Sequence, residues 1–593
     1  MLFLLLASEN EAMNHLTQEE RKREGSHYTP ALLADFVAEQ ICRAIRSSDL
    51  PKTVRVLDPA VGDGELLRSL LAKIAAANVR SVEVTAFDTD RTALNLAKER
   101  ISGLELHFPI AWRNTSFLDF VLSEYALEEG PLFSVTAHEP RFNLLIANPP
   151  YVRTQVLGAK ESRTLARKFH LSGRVDLYHA FILAMGEALA PGGIAGIIVS
   201  NRFMTTRAGA SVRRGIRQLF EVIHVWDLGD TKLFEAAVLP AVLLLRRTVD
   251  VHPEKPARFT SIYSVHGSET VATPVQDRIQ ALFEEGTVRT PNEEFFKVRQ
   301  GTLVEGRSSD DVWRLSNEET DCWLQTVQDH SFGRFASIGK IRVGVKTTAD
   351  NVFIRSDWGD IPANEQPEIL KPLITHHIAR RFRAKNEGRT HWILYPHTEI
   401  GGKRRVVDLD KFPRTKRYLE ANRNVLEKRK YLQESGRAWF EIWVPQSPSA
   451  WARPKLVFRD ICEHPVFWID LGGAVVNGDC YWLSAEDAES ERLLWLAAGV
   501  GNSSFIEEYY DRRFNNKLYS GRRRFLTQYV EQFPLPDPDG PPGQAIIRLA
   551  HKIYDDINGQ DVASLEEELD ARVWDAFGIS QRSRAAKGSE ASC

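Results

Sequence analysis

Cysteine is scarce in this chain and badly placed for metal. Cys42, Cys322, Cys462, Cys480 and Cys593 form no CxxC pair and no Cys/His cluster. That spacing argues against a zinc site and a disulfide framework, and for a reducing cytosol. Long apolar runs are missing as well. The opening MLFLLLA is far too short to span a bilayer, has no basic flank and runs into Glu9 and Glu11. Residues 1–22 are therefore set aside as a disordered extension, with Met13 a second candidate start, and no membrane partner is expected. Net charge is nearly absent: 76 basic side chains against 79 acidic ones leave −3, so bulk electrostatics announces no nucleic acid. Nor does the glycine pattern GxGxxG occur where a dinucleotide fold would need it.

What is present is an ordinary globular composition, 43% hydrophobic and 26% charged, in 593 residues. That length exceeds one core and predicts two large domains. Through residue 250, apolar runs (VRVLDPA, VEVTAFD, FNLLIAN, GIAGIIVS, VIHVWDL, AVLLLRR) alternate with helical patterns such as ELLRSLLAKIAAA and LYHAFILAMGEALA. Such alternation predicts an α/β domain over 23–250 with a mainly parallel sheet covered by helices. Residues 251–335 read as a connecting segment, with PVQDRIQALFEEG as a helix. From 336 to 536 Trp and Arg are frequent and strands short, which suggests a mixed α+β domain. The Pro-rich FPLPDPDGPPG ends it, and two amphipathic helix patterns make 537–593 a helical tail.

The stretch VRVLDPAVGDGELLRSLL is strand, glycine turn, helix. Gly62 and Gly64 let backbone approach a ligand closely. Asp58, Asp63 and Glu65 repel a phosphate and suit a cation or ammonium, so the charge sign favours S-adenosylmethionine, with its sulfonium and α-ammonium. Asp88, ending the next strand, stands where related folds hold a ribose diol.

A second strand, FNLLIA, stops at Asn148-Pro149-Pro150-Tyr151. Prolines cannot donate to a sheet, so the chain must leave it there, with Asn148 and Pro149 held stiffly. The Asn148 side-chain oxygen and the Pro149 carbonyl are acceptors with few donors nearby. This suits an aromatic amine that donates two hydrogens, and Tyr151 offers a stacking face worth about 1–3 kcal/mol per base.

DPAVGDG, FDTD and NPPY in this order resemble the gamma-class N6-adenine DNA methyltransferases of restriction–modification systems, the type with a C-terminal target-recognition domain. The resemblance implies a Rossmann-like, S-adenosylmethionine-dependent domain, catalysis through Asn148, Pro149, Pro150 and Tyr151, and extrusion of the target adenine. It places Asp58, Pro59, Ala60, Gly62, Gly64 and Asp88 on the cofactor, joined by Tyr28, Thr29 and Pro30 from REGSHYTP. Where the family has Asp before FL, this chain has Ser116-Phe117; Ser116 or Asp119 must then meet the cofactor's adenine. Phe203 is the nearest candidate for a second aromatic on the target base, with a place in the core as the alternative.

SIGKIRVGVKTTADNVF, LKPLI, RPKLVFRDI and YSGRRRFLTQYVEQFPLP resemble the family's target-recognition domain. The basic residues there, Arg380, Arg381, Arg383, Lys403, Arg404, Arg405, Arg522 and Arg523, are candidate DNA contacts, although most charge runs are only solvated faces. The implied partners are double-stranded DNA and a separately encoded cognate endonuclease, no nuclease pattern being evident in the chain. A monomer in a prokaryotic cytoplasm is expected. An RNA adenine methyltransferase is the next alternative, and a protein glutamine amide methyltransferase, whose enzymes share NPPY, the third.

Overall fold

The computed structural model describes residues 29–579 apart from 46–50, 78, 80, 105–107, 125–141, 152–158, 172–175, 234–238, 249–255, 266–270, 307, 309–310, 386–390 and 515–521. Tyr28 and the extension before it lie outside these residues. The described chain divides into two compact units, one running to Asn317 and the other from Glu318 onward.

The first unit is built on a twelve-stranded sheet ordered β3-β2-β1-β4-β5-β7-β6-β8-β11-β10-β9, with β12 beside β11. Its central strands are β1 (Val54–Asp58), β2 (Val82–Phe87), β3 (Ile110–Arg113), β4 (Phe142–Ala147) and β5 (Leu189–Ser200), paired parallel with one another. β6 (Phe220–Asp227) follows, and β7 (Pro240–Arg247) is inserted antiparallel between β5 and β6. Each of the six apolar runs of the sequence forms one of these strands. Most read as continuous apolar runs because helices cover both faces, and the exposed positions, Arg55 and Glu83, pair with each other on adjacent strands.

Helix α1 (Ala31–Ala44) turns Leu33, Val37 and Ile41 inward onto β5, where Gly196 leaves room: a Cβ there would lie 2.7–2.8 Å from Ile41 and Val37. Helix α2 (Glu65–Ala76) buries Leu67, Leu70, Leu71 and Ile74, each contributing about 1.5–3 kcal/mol by removal from water. Helices α3 (Arg91–Ser102), α4 (Phe117–Glu124), α5 (Ala159–Lys168), α6 (Leu177–Ala188) and α7 (Ala210–Leu219) complete the layers.

Residues 251–335 are not a mere connection. β8 (Arg258–Ser264), β9 (Thr273–Pro274), β10 (Gly286–Arg289), β11 (Phe295–Val304) and β12 (Arg314–Ser316) extend the same sheet. The helix expected in PVQDRIQALFEEG is a single 3-10 turn at Gln280–Phe283. Asp277 caps this turn, its carboxylate taking the backbone N–H of Ile279 at 2.7 Å and of Gln280 at 2.8 Å. The helical pattern is cut short because Gly286, left-handed at φ +109°, already opens β10.

The second unit is mixed α and β, with two four-stranded sheets and a separate two-stranded hairpin of His397–Ile400 and Lys403–Val406. The C-terminal helices Pro541–Asp555 and Val562–Ala576 belong to it rather than trailing behind. His551 stacks on Trp495 at 3.8 Å between centroids, and Phe577 stacks on Phe505 at 4.2 Å. Cys42, Cys462 and Cys480 are free thiols. Among the described residues no cluster suits a metal ion, and no helix is long and apolar enough to cross a membrane.

Candidate active site

Asp58, Asp88 and Asn148 stand at or just beyond the carboxyl ends of β1, β2 and β4, which are neighbours in the sheet, so their loops share one edge. This is where open α/β sheets bind ligands. The β1 loop returns through Gly62 and Gly64, both left-handed at φ +54° and +86°. A Cβ on Gly64 would sit 2.8 Å from Ala97 of α3, whereas one on Gly62 would meet nothing within 4 Å. Gly64 is thus needed for packing, and Gly62 borders open space.

The loop's acidity is more selective than its composition implied. Arg100 donates to Asp63 at 2.7 Å and to Glu65 at 2.6 Å, and Arg68 also holds Glu65 at 2.6 Å. These two acids are therefore spoken for. Asp58 is not. It is fully buried, one oxygen accepts the Ala60 N–H at 3.1 Å, and the other has no hydrogen-bond partner. Burial pushes its carboxyl up to about 8, with Asp88 and Asp63 adding repulsion against the Ala60 N–H. A sealed, half-satisfied carboxyl beside an open glycine fits the ammonium end of an amino-acid cofactor. Asp88 accepts the Gly62 N–H at 2.9 Å and the Asp90 N–H at 2.8 Å, so it also braces the loop it was expected to serve. Burial raises its carboxyl too.

Ser116 caps α4, its hydroxyl accepting the Asp119 N–H at 3.3 Å, while Asp119 itself is exposed. Phe117 is buried, edge-on to Phe87 at 5.5 Å and tilted against Phe181 at 6.0 Å, so its ring serves the core. Pro30 opens α1 with its carbonyl accepting from Leu33 and Ala34.

Thr29 links the N-terminal motif to the other loop: its hydroxyl oxygen accepts from the Asn148 amide nitrogen at 3.1 Å. That bond turns the Asn148 oxygen the other way, where it accepts the Tyr151 hydroxyl at 2.8 Å. The same hydroxyl lies 3.3 Å from the Ile198 carbonyl of β5. The acceptor expected to be open is thus occupied by a side chain of its own loop. The Tyr151 ring meets Tyr178 of α6 edge-on at 6.0 Å.

Among known proteins, the type II methyltransferase M.BanIII of Aneurinibacillus aneurinilyticus is 36% identical over 575 residues, covering 94% of this chain and 98% of its own. The chain belongs to the type II restriction–modification methyltransferases. Type II methyltransferase M.PaeR7I of Pseudomonas aeruginosa is 24% identical, covering 95% of this chain and 93% of its own. Residues 77–234 match the Eco57I restriction-modification methylase family. Among solved structures, the ATP-dependent Type ISP restriction-modification enzyme LlaBIII bound to DNA aligns over 89% of this chain and 39% of its own, at 12% identity and a TM-score of 0.47.

In this methyltransferase the segment after β5 carries residues that sequence reasoning missed. Asn201 donates to Asp227 at 2.9 Å, and the Tyr263 hydroxyl donates to the other Asp227 oxygen at 2.7 Å. Asp227 is fully buried and its carboxyl is pushed up to about 6 by that burial. Arg213, also fully buried, donates to the carbonyls of Phe203 and Thr206. Together they brace the chain over 201–209. The available signal was an acid ending an apolar strand run, in VIHVWDL. Of the two readings of Phe203 the structure favours the core: it is wholly buried and edge-on to Trp313 at 5.4 Å.

The basic candidates divide sharply. Arg380 donates to Asn558 at 2.9 Å, Arg381 pairs with Glu566 at 2.8 Å, and Arg383 lies over the Tyr554 ring at 5.0 Å. They contact the two C-terminal helices and the turn between them, and all three are half-buried. Arg523 is buried and bidentate on Asp511, both bonds 2.9 Å. Lys403, Arg404, Arg405 and Arg522 are exposed.

Proposed function

We propose that this methyltransferase is site-specific for DNA and adds a methyl group from S-adenosylmethionine to the N6 amine of an adenine flipped out of a duplex. The resemblance adds that it works as a monomer and protects sites from a separately encoded endonuclease. When bound, the cofactor supplies a methyl group on a sulfonium. Asp58 offers its unshared oxygen to the α-ammonium, Gly62 gives room for close approach, and Asp88 has lone pairs left for ribose hydroxyls.

The observation that carries the reading is the Asn148 amide, turned by Thr29 so that its oxygen, not its nitrogen, is presented. A target amine gives one hydrogen to that oxygen and the other to the Pro149 carbonyl. Preorganised acceptors localise the nitrogen lone pair, so no general base need act first. As the amine arrives, the Tyr151 hydroxyl leaves Asn148 and its ring serves as the stacking face. Extruding the base costs a few kcal/mol, least at a weak pair.

Asn148→Ala should bind cofactor normally and lose at least ~10²-fold in methyl transfer. The measurement is transfer of labelled methyl to synthetic duplexes, followed by digestion to nucleosides. N6-methyladenine is expected. N4-methylcytosine would overturn the choice of base, and label appearing only in RNA would overturn the choice of substrate.

A further inference from the structure

The hairpin of His397–Ile400 and Lys403–Val406 pairs His397 with Val406, Thr398 with Arg405, Glu399 with Arg404 and Ile400 with Lys403. Its two-residue turn, Gly401-Gly402, has φ of +58° and +71°, the mirror-image turn that suits the twist of paired strands. It belongs to neither four-stranded sheet. Alternation along each strand gives the ribbon two distinct faces.

One face is anchored. His397 is buried and its Nε2 accepts the Ile442 N–H at 3.1 Å, while Glu399, the hairpin's one acid, accepts from Ser449. Just before the hairpin, the Tyr395 hydroxyl donates to the Pro445 carbonyl. The opposite face carries Thr398, Ile400, Lys403 and Arg405. Its last three residues are exposed, Ile400 at 66%, and it contains no acid. Lys403 and Arg405 make no ion pair among the described residues.

We propose that this outer face inserts into the major groove of DNA and reads base edges. The proposal rests on the DNA reading above and deepens it. A two-stranded ribbon fits the major groove, which is about 12 Å wide. Phosphate tracking would ask for cations alone and gives no reason to hold an isoleucine out in water. Base reading does: a thymine methyl is met by an apolar side chain, guanine N7 and O6 by Lys or Arg, and a hydroxyl such as Thr398 pairs with either kind of edge. The glycine tip keeps the ribbon thin enough to enter, and the anchored face fixes its aim.

The test uses the full chain with Ile400→Ala, Lys403→Ala and Arg405→Ala singly, each checked against the wild-type melting curve. Binding is measured to a duplex containing the site mapped by methyl labelling and to a random duplex of equal length, at several salt concentrations. Groove reading predicts a loss of roughly 5- to 150-fold on the mapped site, little change on the random duplex, and relaxed methylation at one or two positions. Equal losses on both duplexes, with the slope of log K against log salt flattened by about 0.9 per cation, would make these residues phosphate contacts and overturn the proposal. Unchanged binding by all three variants would also overturn it. A wild-type enzyme that binds and methylates no duplex would instead refute the DNA reading itself.

Discussion

Asp58 shows how much one side chain can decide. Burial raises its carboxyl to about 8, so it is protonated at neutral pH. That protonated form contributes stability which is full below the ordinary carboxyl value of 3.8 and is lost as pH rises through about 8. A cation can be paired only after the proton leaves. Cofactor binding at pH 7 should therefore release close to one proton, counted by calorimetry in buffers of different ionisation enthalpy, and affinity should climb toward about pH 8. Asp58→Asn should bind weakly and release none; a wild-type enzyme that releases none removes Asp58 from the cofactor site. At this scale Asp58, Gly62 and Asn148 are legible in the sequence, because a strand end followed by glycine or proline fixes where a side chain stands. Phe203 is not, since its burial is decided by Trp313, more than a hundred residues away along the chain.

Gly62 and Gly64 look alike in the sequence and differ as parts of the β1–α2 turn. At Gly64 a methyl group collides with α3 and φ is +86°, so Gly64→Ala should destabilise the first unit by about 1–3 kcal/mol. At Gly62 the same methyl meets no protein atom, and the left-handed φ of +54° costs about 1–2 kcal/mol at most. Gly62→Ala should thus melt closer to wild type yet lose cofactor affinity, because the methyl fills space kept for the ligand. Calorimetric melting with cofactor titration separates the two; a Gly62→Ala enzyme with undiminished affinity would place the ligand elsewhere. The same limit on legibility holds for whole elements. The apolar runs of the parallel strands are unmistakable, because burial on both faces leaves no other reading. The stretch 274–286 reads as a helix by its spacing, but Gly286 already opens β10 and leaves only the turn that Asp277 caps. The arginines at 380–383 read as a DNA face, and only the tertiary structure reveals the helices they contact.

Over the molecule as a whole, buried ionisable groups give the two units different responses to acid. His179 and His224 in the first unit are held down to about 4 and about 3, and His397 in the second to about 3, all chiefly by burial. Each stays neutral when folded and takes a proton on unfolding, so each costs stability as pH falls below its ordinary 6.5, about 2 kcal/mol by pH 5. In the first unit the raised carboxyls of Asp58 and Asp227 respond oppositely, gaining stability over the same range by a similar total, and those of Asp63, Asp88 and Glu305, also raised by burial, act in the same direction. Among the described residues the second unit has no such offset, and His551, lowered by burial, pushes the same way. Between about pH 7 and pH 5 the second unit should lose urea resistance while the first stays nearly level, read by hydrogen exchange of peptides from each. Parallel loss in both would contradict this balance. The bond from the Tyr151 hydroxyl to the Asn148 oxygen has a consequence of another kind. Because the acceptor is never bare, entry of a base is a substitution, not an addition. On the proposed reading, an incoming adenine amine would replace one neutral donor with another at little net cost. A thymine in the same pose would evict the phenol and set its O4 carbonyl, where adenine has its amine, against the amide oxygen, so the resting tyrosine would work as a toll that an exocyclic amine meets and a carbonyl in its place does not.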